Sequence, residues 1–400
     1  MEDTHRNPDN AEGVTYEEKS AMPVRFFAVT GLFLASSFVL LIAYFALPPF
    51  TPLVYEDKPA AVLFSLLPSN HLPTPKPLKA LYLTSYAAGS KAIREPVLKL
   101  IKETEANAVV IDIKDYSGRV SFPLDDASVK KFGAIDSRVP DIDDLIKKIH
   151  EDGVYAIGRI SVFQDPFIAR ERPELAVKRK SNPDLVWQDH KGISWIDPGN
   201  EEYWRYISDL ALASYKIGFD EINFDYIRFP SDGDMTDVFY PWSGSKDKTD
   251  VLESFFQFLA GELKPRGVVI SADLFGMTTT NTDDLNIGQV LENTLAHFDY
   301  AAPMVYPSHY PPTFLGLGNP AAHPYKVVRY SMEEAMRRAS TTPWKLRPWL
   351  QDFNLGAPYT PDMIRAEKQA VYDAGFDSWM LWNSRSVYTG GALDKETAEE

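Results

Sequence analysis

Residues 219–230 read FDEINFDYIRFP, a run in which apolar and polar side chains alternate. Alternation of this kind places successive side chains on opposite faces of a β-strand. Ile222 and Phe224 are therefore predicted to pack against helices, while Asn223 and Asp225 point to the other face. A strand that is buried on its apolar side and carries polar groups on the other is typical of a barrel that opens onto a site.

The same pattern of short strands separated by helical stretches runs through the chain from residue 78. Eight strands in about 305 residues predict an α/β fold, a closed (β/α)8 or TIM barrel over residues 78–390. A doubly wound open sheet is the alternative, but it more often shows a glycine-rich first turn. The predicted strands are 78–84, 107–114, 155–160, 221–227, 268–274, 300–306, 346–351 and 378–383. The clearest predicted helices are 142–152, 201–217, 251–263, 287–298 and 361–374.

Residues 26–47 form an uncharged apolar run of 22 residues, about the length that a helix needs to cross a bilayer. We expect an uncleaved signal anchor, with a cleavable signal peptide or a buried core helix as alternatives. Residues 1–25 are predicted to be a disordered tail. Basic residues precede the apolar run and none follows it before Lys58, so the positive-inside rule predicts a single-pass protein of the cell membrane. Its N-terminus would be cytoplasmic and its barrel extracytoplasmic. The eight prolines of residues 48–77 predict a semi-stiff linker, and residues 391–400 are assigned to a C-terminal tail.

The composition excludes several classes of function. The chain has 56 acidic and 41 basic residues, for a net charge of −15, and a surface of this sign disfavours nucleic acid as a partner. The absence of cysteine excludes disulfides, thiol nucleophiles and Cys-ligated metals, and seven histidines without an HExxH motif argue against a His-rich metal centre. No GxGxxG, GxxxxGK[ST] or GxSxG motif is present. We therefore expect no cofactor and no resident metal.

Three acids, Asp112, Asp225 and Asp273, fall near the C-terminal ends of different predicted strands with their side chains inward. Packing alone would not place them there, because burying an unpaired carboxylate costs several kcal/mol. Two carboxylates on neighbouring strands suit glycoside hydrolysis. Because neighbouring strands lie ~4.8 Å apart, the pair fits the ~5–5.5 Å separation of a retaining enzyme better than the ~6.5–9.5 Å of an inverting one. Asp225 is predicted to be the nucleophile and Asp273 the acid/base.

The surrounding polar and aromatic side chains are predicted to bind substrate. Arg159 or Arg228 would keep Asp225 ionised, and sugar rings would pack their C–H faces on aromatic rings. The alternative is a structural ion network in which Asp112 pairs with Lys114 and Asp225 with one of the arginines. The predicted substrate-binding residues are Asp112, Lys114, Arg159, Asn223, Arg228, Tyr306, Trp349 and Trp382.

At FDEINFDYIRFP the chain resembles the bacterial family of putative glycosyl hydrolase domains, whose TIM barrel is akin to those of α-amylases and α-galactosidases. The resemblance covers about residues 78–390 and includes the segments NAVVIDIKDYSGRVSF, YAIGRISVFQDP, ISADLFGM, APMVYPSHY and GFDSWMLWNS. In α-amylase-like barrels the nucleophilic Asp ends the fourth strand and the acid/base follows the fifth, which the resemblance carries to Asp225 and Asp273. The chain departs from amylases in having Asp rather than Glu on the fifth strand, and Asn223 where amylases have Arg.

The leading hypothesis is a membrane-anchored, extracytoplasmic glycoside hydrolase that acts on a poly- or oligosaccharide. A non-catalytic carbohydrate-binding barrel of the cell envelope is the alternative, since it needs the aromatic residues but not two acids within reach of one bond. A third hypothesis is a metal-dependent hydrolase with oxygen ligands from Asp112, Asp115 and Asp225. Loss of activity in EDTA would identify it.

Overall fold

The structure, a computed structural model, describes residues 71–395. Its centre is a closed barrel of eight parallel strands that follow one another around the ring in chain order, with the last strand pairing with the first. All eight strands that the sequence predicts are present, so the predicted (β/α)8 barrel is confirmed. The strands are β1 Lys79–Leu83, β2 Ala108–Lys114, β3 Tyr155–Ser161, β4 Glu221–Asp225, β5 Val269–Phe275, β6 Tyr300–Met304, β7 Trp349–Gln351 and β8 Trp379–Trp382.

Helices surround the barrel, and local signals fix where they begin and end. In the longest helix, Asn200 accepts the Tyr203 backbone N–H at 2.8 Å at the start, and Gly218 adopts φ +124° after the end, a backbone that favours glycine. The two-residue strands Lys178–Arg179 and Val238–Phe239 pair antiparallel outside the barrel. The helices are α1 Ser85–Gly89, α2 Lys91–Glu103, α3 Ala127–Lys131, α4 Ile142–Glu151, α5 Pro166–Glu171, α6 Glu201–Ile217, α7 Lys248–Leu263, α8 Leu291–His297, α9 Pro324–Ala339 and α10 Pro361–Asp373.

Two apolar clusters fill the fold on either side of the barrel wall. Ile222 and Phe224 belong to the outer cluster between strands and helices, as their alternation predicts. The inner cluster includes Val110 and Ile157. Further along the same two strands the inward-facing residues are charged, so charged side chains line the C-terminal end of the barrel.

Strand β2 departs from strict alternation at its end. Asp112 pairs with Arg159 and Lys114 pairs with Ile160, so two steps on β2 match one step on β3. This β-bulge turns Lys114 away from the barrel interior, and its Nζ lies 2.9 Å from Asp165 Oδ2. Alternation along β2 predicts that Lys114, like Asp112, points inward to bind substrate; the bulge reverses its orientation, so this prediction is wrong.

Gly158 gives the bulge the space that it needs. A Cβ at this position would lie 2.3 Å from Ile113 Cδ1 and 3.0 Å from Phe219 Cδ1, well inside van der Waals contact. Any larger residue at position 158 would have to displace these two side chains, which pack against the strand beside the bulge.

The predicted membrane span at residues 26–47, the tail at 1–25 and most of the linker at 48–77 lie outside the described residues. Within residues 71–395, no helix is both long and apolar enough to cross a membrane.

Candidate active site

A cavity of about 800 Å³ opens at the C-terminal ends of the barrel strands, a size typical of small-molecule sites. Eight of the ten predicted site residues form part of its wall, and only Lys114 and Asn223 do not. The eight are Asp112, Arg159, Asp225, Arg228, Asp273, Tyr306, Trp349 and Trp382.

Arg159 holds three carboxylates together on the floor of the cavity. Its Nη1 donates to Asp112 Oδ1 at 2.7 Å, and its Nη2 donates to Asp225 Oδ2. Its Nε lies 3.7 Å from Asp273 Oδ2. All four side chains are buried, and buried carboxylates are tolerated only where they are paired and hydrogen-bonded. The predicted choice between Arg159 and Arg228 as the partner of Asp225 is therefore resolved in favour of Arg159.

Both carboxylate oxygens of Asp225 accept hydrogen bonds. In addition to the Arg159 contact, Oδ1 accepts the backbone N–H of Tyr226 at 2.5 Å. Tyr226 has φ +52°, an unusual conformation for a bulky residue, and it follows directly on the last residue of β4. A carboxyl group whose two oxygens both accept hydrogen bonds behaves as an ionised carboxylate. The two hydrogen bonds also fix its orientation toward the cavity.

Asp273 lies in a different environment on the adjacent strand. Its Oδ1 accepts Trp349 Nε1–H at 2.7 Å and Asn223 Nδ2–H at 2.9 Å. Burial, and then the nearby charge of Asp225, raise the pKa of Asp273 to about 8, against the opposing effect of Arg159. Because Oδ1 accepts from two donors, Oδ2, which lies 3.7 Å from Arg159 Nε, is the oxygen that is left to carry the proton of the neutral acid.

Asp112 fixes the position of Arg159. Its Oδ2 accepts the hydroxyl of Tyr82 at 2.5 Å, while its Oδ1 accepts from the guanidinium. Burial raises the pKa of Asp112 to about 6, and the charge of Arg159 and the Tyr82 hydrogen bond oppose the increase. With both oxygens occupied by protein donors, Asp112 is better suited to orient Arg159 than to contact a substrate.

The two predicted binding residues that lie behind the wall have structural contacts. Asn223 donates to Asp273 and, at 3.1 Å, to Ser271 Oγ, so it acts on the site through Asp273. Lys114 is fully buried and paired with Asp165.

The aromatic residues of the cavity differ in what they can offer a ligand. Tyr82 stacks on Trp382 with ring centroids 3.9 Å apart, and Trp349 uses its N–H on Asp273, so these rings form a packed floor. Tyr86 and Tyr116, which the sequence analysis did not select, line the cavity with 61% and 60% of their surface exposed. Both follow barrel strands closely in the sequence, and this position is the signal that could have identified them.

Six other wall residues that were not predicted from the sequence come from the segments between strands and longer helices, where strand alternation carries no information. They are Lys191, Asp232, Met277, His309, Phe353 and Arg385.

The three acids that the metal-hydrolase hypothesis names as ligands do not form a metal site. Within residues 71–395, no three His, Asp or Glu side chains are placed to hold a metal ion. Asp112 and Asp225 share Arg159, and Asp115 pairs with Arg138. Each of the three acids that would have to ligate a cation is thus already paired with an arginine.

Comparison with known proteins agrees with this architecture. Residues 80–388 match the sequence profile of a family described as "Putative glycosyl hydrolase domain". A hypothetical protein from Ruminiclostridium thermocellum is 35% identical over 48% of this chain and 96% of its own, with a TM-score of 0.44. The glycoside hydrolase domain of PgaB (BpsB) from Bordetella bronchiseptica is 14% identical over 78% of this chain and 95% of its own, with a TM-score of 0.58, which shows a shared fold. A search of curated proteins gave no match.

Proposed function

We propose that this chain, which belongs to the family of putative glycosyl hydrolase domains, is a retaining glycoside hydrolase with Asp225 as nucleophile and Asp273 as acid/base. One observation carries the proposal. Two carboxyl groups on adjacent strands face one cavity in opposite protonation environments, because Asp225 accepts two hydrogen bonds while burial raises the pKa of Asp273 to about 8. A glycosidase requires two carboxyl groups of this kind, one that holds a proton and one that is ionised.

In the first step, Asp273 donates its proton to the oxygen of the leaving group. The Asp225 carboxylate attacks the anomeric carbon, the glycosidic C–O bond breaks, and a glycosyl ester forms on Asp225. Arg159 and the Tyr226 N–H hold the nucleophile in place during the attack.

In the second step, the ionised Asp273 removes a proton from water. The water oxygen attacks the anomeric carbon, and the ester bond to Asp225 breaks, so the sugar is released with its original configuration. The N–H groups of Trp349 and Asn223 stabilise the negative charge that Asp273 carries between the two steps.

The same proposal includes the location of the enzyme. The apolar run at residues 26–47 and the basic residues before it support a membrane anchor that holds the barrel outside the cytoplasm, in contact with poly- or oligosaccharides. A reporter fused after residue 60 should be active only on the extracytoplasmic side. Reporter activity in the cytoplasm would contradict the orientation, and a mature form that starts near residue 48 would favour a cleaved signal peptide.

The catalytic assignment is tested by a glycan-panel activity screen with matched variants of the full chain. Asp225→Asn should lose essentially all turnover, because an amide of the same size cannot form the ester. Asp273→Asn should spare substrates with good leaving groups, which need little protonation to depart. Asp144→Asn, which alters an exposed carboxyl on α4, is the matched control and should keep full activity.

Proton NMR of the first-formed product decides the stereochemistry. We expect the retained anomer. An inverted anomer, or full activity of Asp225→Asn, would overturn the assignment. A purely carbohydrate-binding barrel would turn over no glycan, while Trp349→Ala would still weaken its affinity for glycans.

A further inference from the structure

Three cationic side chains line the cavity in addition to Arg159: Lys191, Arg228 and Arg385. Among residues 71–395, no carboxylate oxygen lies within 4.0 Å of the charged nitrogens of these three groups. The chain as a whole carries a net charge of −15. Within residues 71–395, the cavity wall thus carries three positive charges that no carboxylate pairs within 4.0 Å, while Asp189 and Asp232 act on Arg228 only through their charge.

Arg228 shows most clearly that this charge lacks a partner. Its Nη1 donates only to neutral oxygens, the Phe229 carbonyl at 3.0 Å and Ser231 Oγ at 3.2 Å. Burial lowers its pKa, against the effects of nearby acidic groups. Three aromatic rings surround the guanidinium, with centroids 4.9 to 5.5 Å away: Trp195, Tyr226 and Phe275. A guanidinium has five N–H donors, so several remain free to bind an anion.

Lys191 and Arg385 bring positive charge to the same mouth from other loops. Lys191 lies between β3 and α6, and Arg385 follows β8; both are exposed. Burial, and then the charge of Lys191, lower the pKa of His309, which is another residue of the cavity wall.

We propose that the substrate is an acidic glycan, whose carboxylate is bound by Arg228 with the support of Lys191 and Arg385. This inference rests on the proposed function and adds the substrate class. A planar guanidinium held between aromatic rings presents the paired donors that a carboxylate accepts. The carboxylates around Arg159 repel a second anion, so the acidic group belongs to a part of the substrate away from the bond that is cleaved.

The test is calorimetric titration of the full chain carrying Asp225→Asn, so that binding is measured without turnover. The probes are tetramers of galacturonate, of mannuronate and of a glucuronate-containing glycan, each paired with its carboxyl-reduced neutral form. Sulfated and amino-bearing tetramers complete the set. We expect at least one carboxylated tetramer to bind about tenfold or more tightly than its neutral partner, with an affinity that falls as salt rises.

The same titration with variants assigns the effect to Arg228. Arg228→Gln should remove the preference for the carboxylated tetramer, and Arg228→Lys should retain part of it, because the charge remains while the paired donors are lost. Lys191→Gln and Arg385→Gln alter exposed residues and should weaken acidic tetramers alone. Lys326→Gln on α9, the same charge change outside the cavity wall, should leave every affinity unchanged.

Several results would overturn the inference: equal or tighter binding of every neutral partner, a preference for the amino-bearing or sulfated tetramer, equal loss for both members of a pair in Arg228→Gln, or no binding at all. Its failure is distinguishable from failure of the proposed function. Selective binding of a carboxylated tetramer that the wild-type chain does not hydrolyse would support the inference and contradict the proposed hydrolase. Hydrolysis of neutral glycans without acidic preference would do the reverse.

Discussion

Replacing Asp273 with Asn should make the protein more stable, and increasingly so as the pH rises. The pKa of Asp273 is raised to about 8 from an ordinary value of 3.8, mainly by burial. Between these two values the folded protein keeps the proton while the unfolded chain releases it. Since the folded-state pKa is the higher one, the stability that this carboxyl contributes is fully present below its unfolded pKa and is lost as the pH rises toward 8.

The size of this stability change follows from the number of pH units over which the folded protein keeps the proton and the unfolded chain does not. One pKa unit corresponds to about 1.4 kcal/mol, so one such carboxyl lowers the free energy of unfolding by roughly 3 kcal/mol between pH 5 and pH 7. Asparagine keeps the oxygen that accepts from Trp349 and Asn223 but cannot ionise. The stability difference between Asp273→Asn and the wild type should therefore grow by roughly 3 kcal/mol over the same range.

Urea unfolding at pH 5, 6 and 7 measures this difference without any substrate. Other titrating groups, including Asp112 with its pKa of about 6, are present in both proteins and cancel in the comparison. Asp144→Asn should show no such growth, because its carboxyl is exposed. A difference that stays constant or shrinks with rising pH, at equal m-values, would refute a protonated Asp273 and with it the assigned acid.

Three further changes test the surroundings of the site. Trp349→Phe removes a donor that favours ionised Asp273, so the pKa of that acid should rise by about half to one unit. The alkaline limb of the kcat/KM profile should move to higher pH, and a downward move would contradict the assignment. Arg159→Gln should lower the free energy of unfolding by about 3–5 kcal/mol, because it leaves buried carboxylates unpaired; an unchanged urea midpoint would show that the cluster does not depend on this cation. Gly158→Ala places a Cβ 2.3 Å from its nearest neighbour and should cost about 1–3 kcal/mol in urea unfolding. Gly261→Ala, in open space on α7, should cost nothing, and equal losses in the two variants would argue against the crowding.

The barrel is predictable because its signal is local. Each buried strand is short and bounded by helical periodicity, and inward and outward residues alternate over most of its length. The same alternation predicts that Asp112, Asp225 and Asp273 point inward, and the structure brings these three acids together at one end of the barrel around Arg159. It gives the wrong orientation for Lys114, because a single extra residue in a β-bulge reverses alternation and leaves no mark in the sequence.

Which charged residues pair with one another is harder to predict from the sequence than where those residues lie. The sequence offers Asp225 two arginines, and only the alignment of β3 with β4 shows that Arg159 is the partner while Arg228 lies among aromatic rings. Burial is the largest cause of the raised pKa of Asp273, ahead of the neighbouring Asp225 carboxylate, and the extent of burial follows from the tertiary structure. Loop residues such as His309 and Arg385 follow no periodic pattern, so their arrival at the cavity depends on tertiary contacts.

The shared guanidinium has a consequence for inhibition. Between about pH 6 and pH 8, Arg159 offers one positive charge against the carboxylates of Asp112 and Asp225, with Asp273 still neutral. This cluster of four side chains is thus one positive charge short of neutrality, and the oxocarbenium character of a glycosidic transition state supplies that charge. A cationic iminosugar carries a permanent positive charge and would supply the one that is missing. Its affinity would therefore measure the charge imbalance of this cluster.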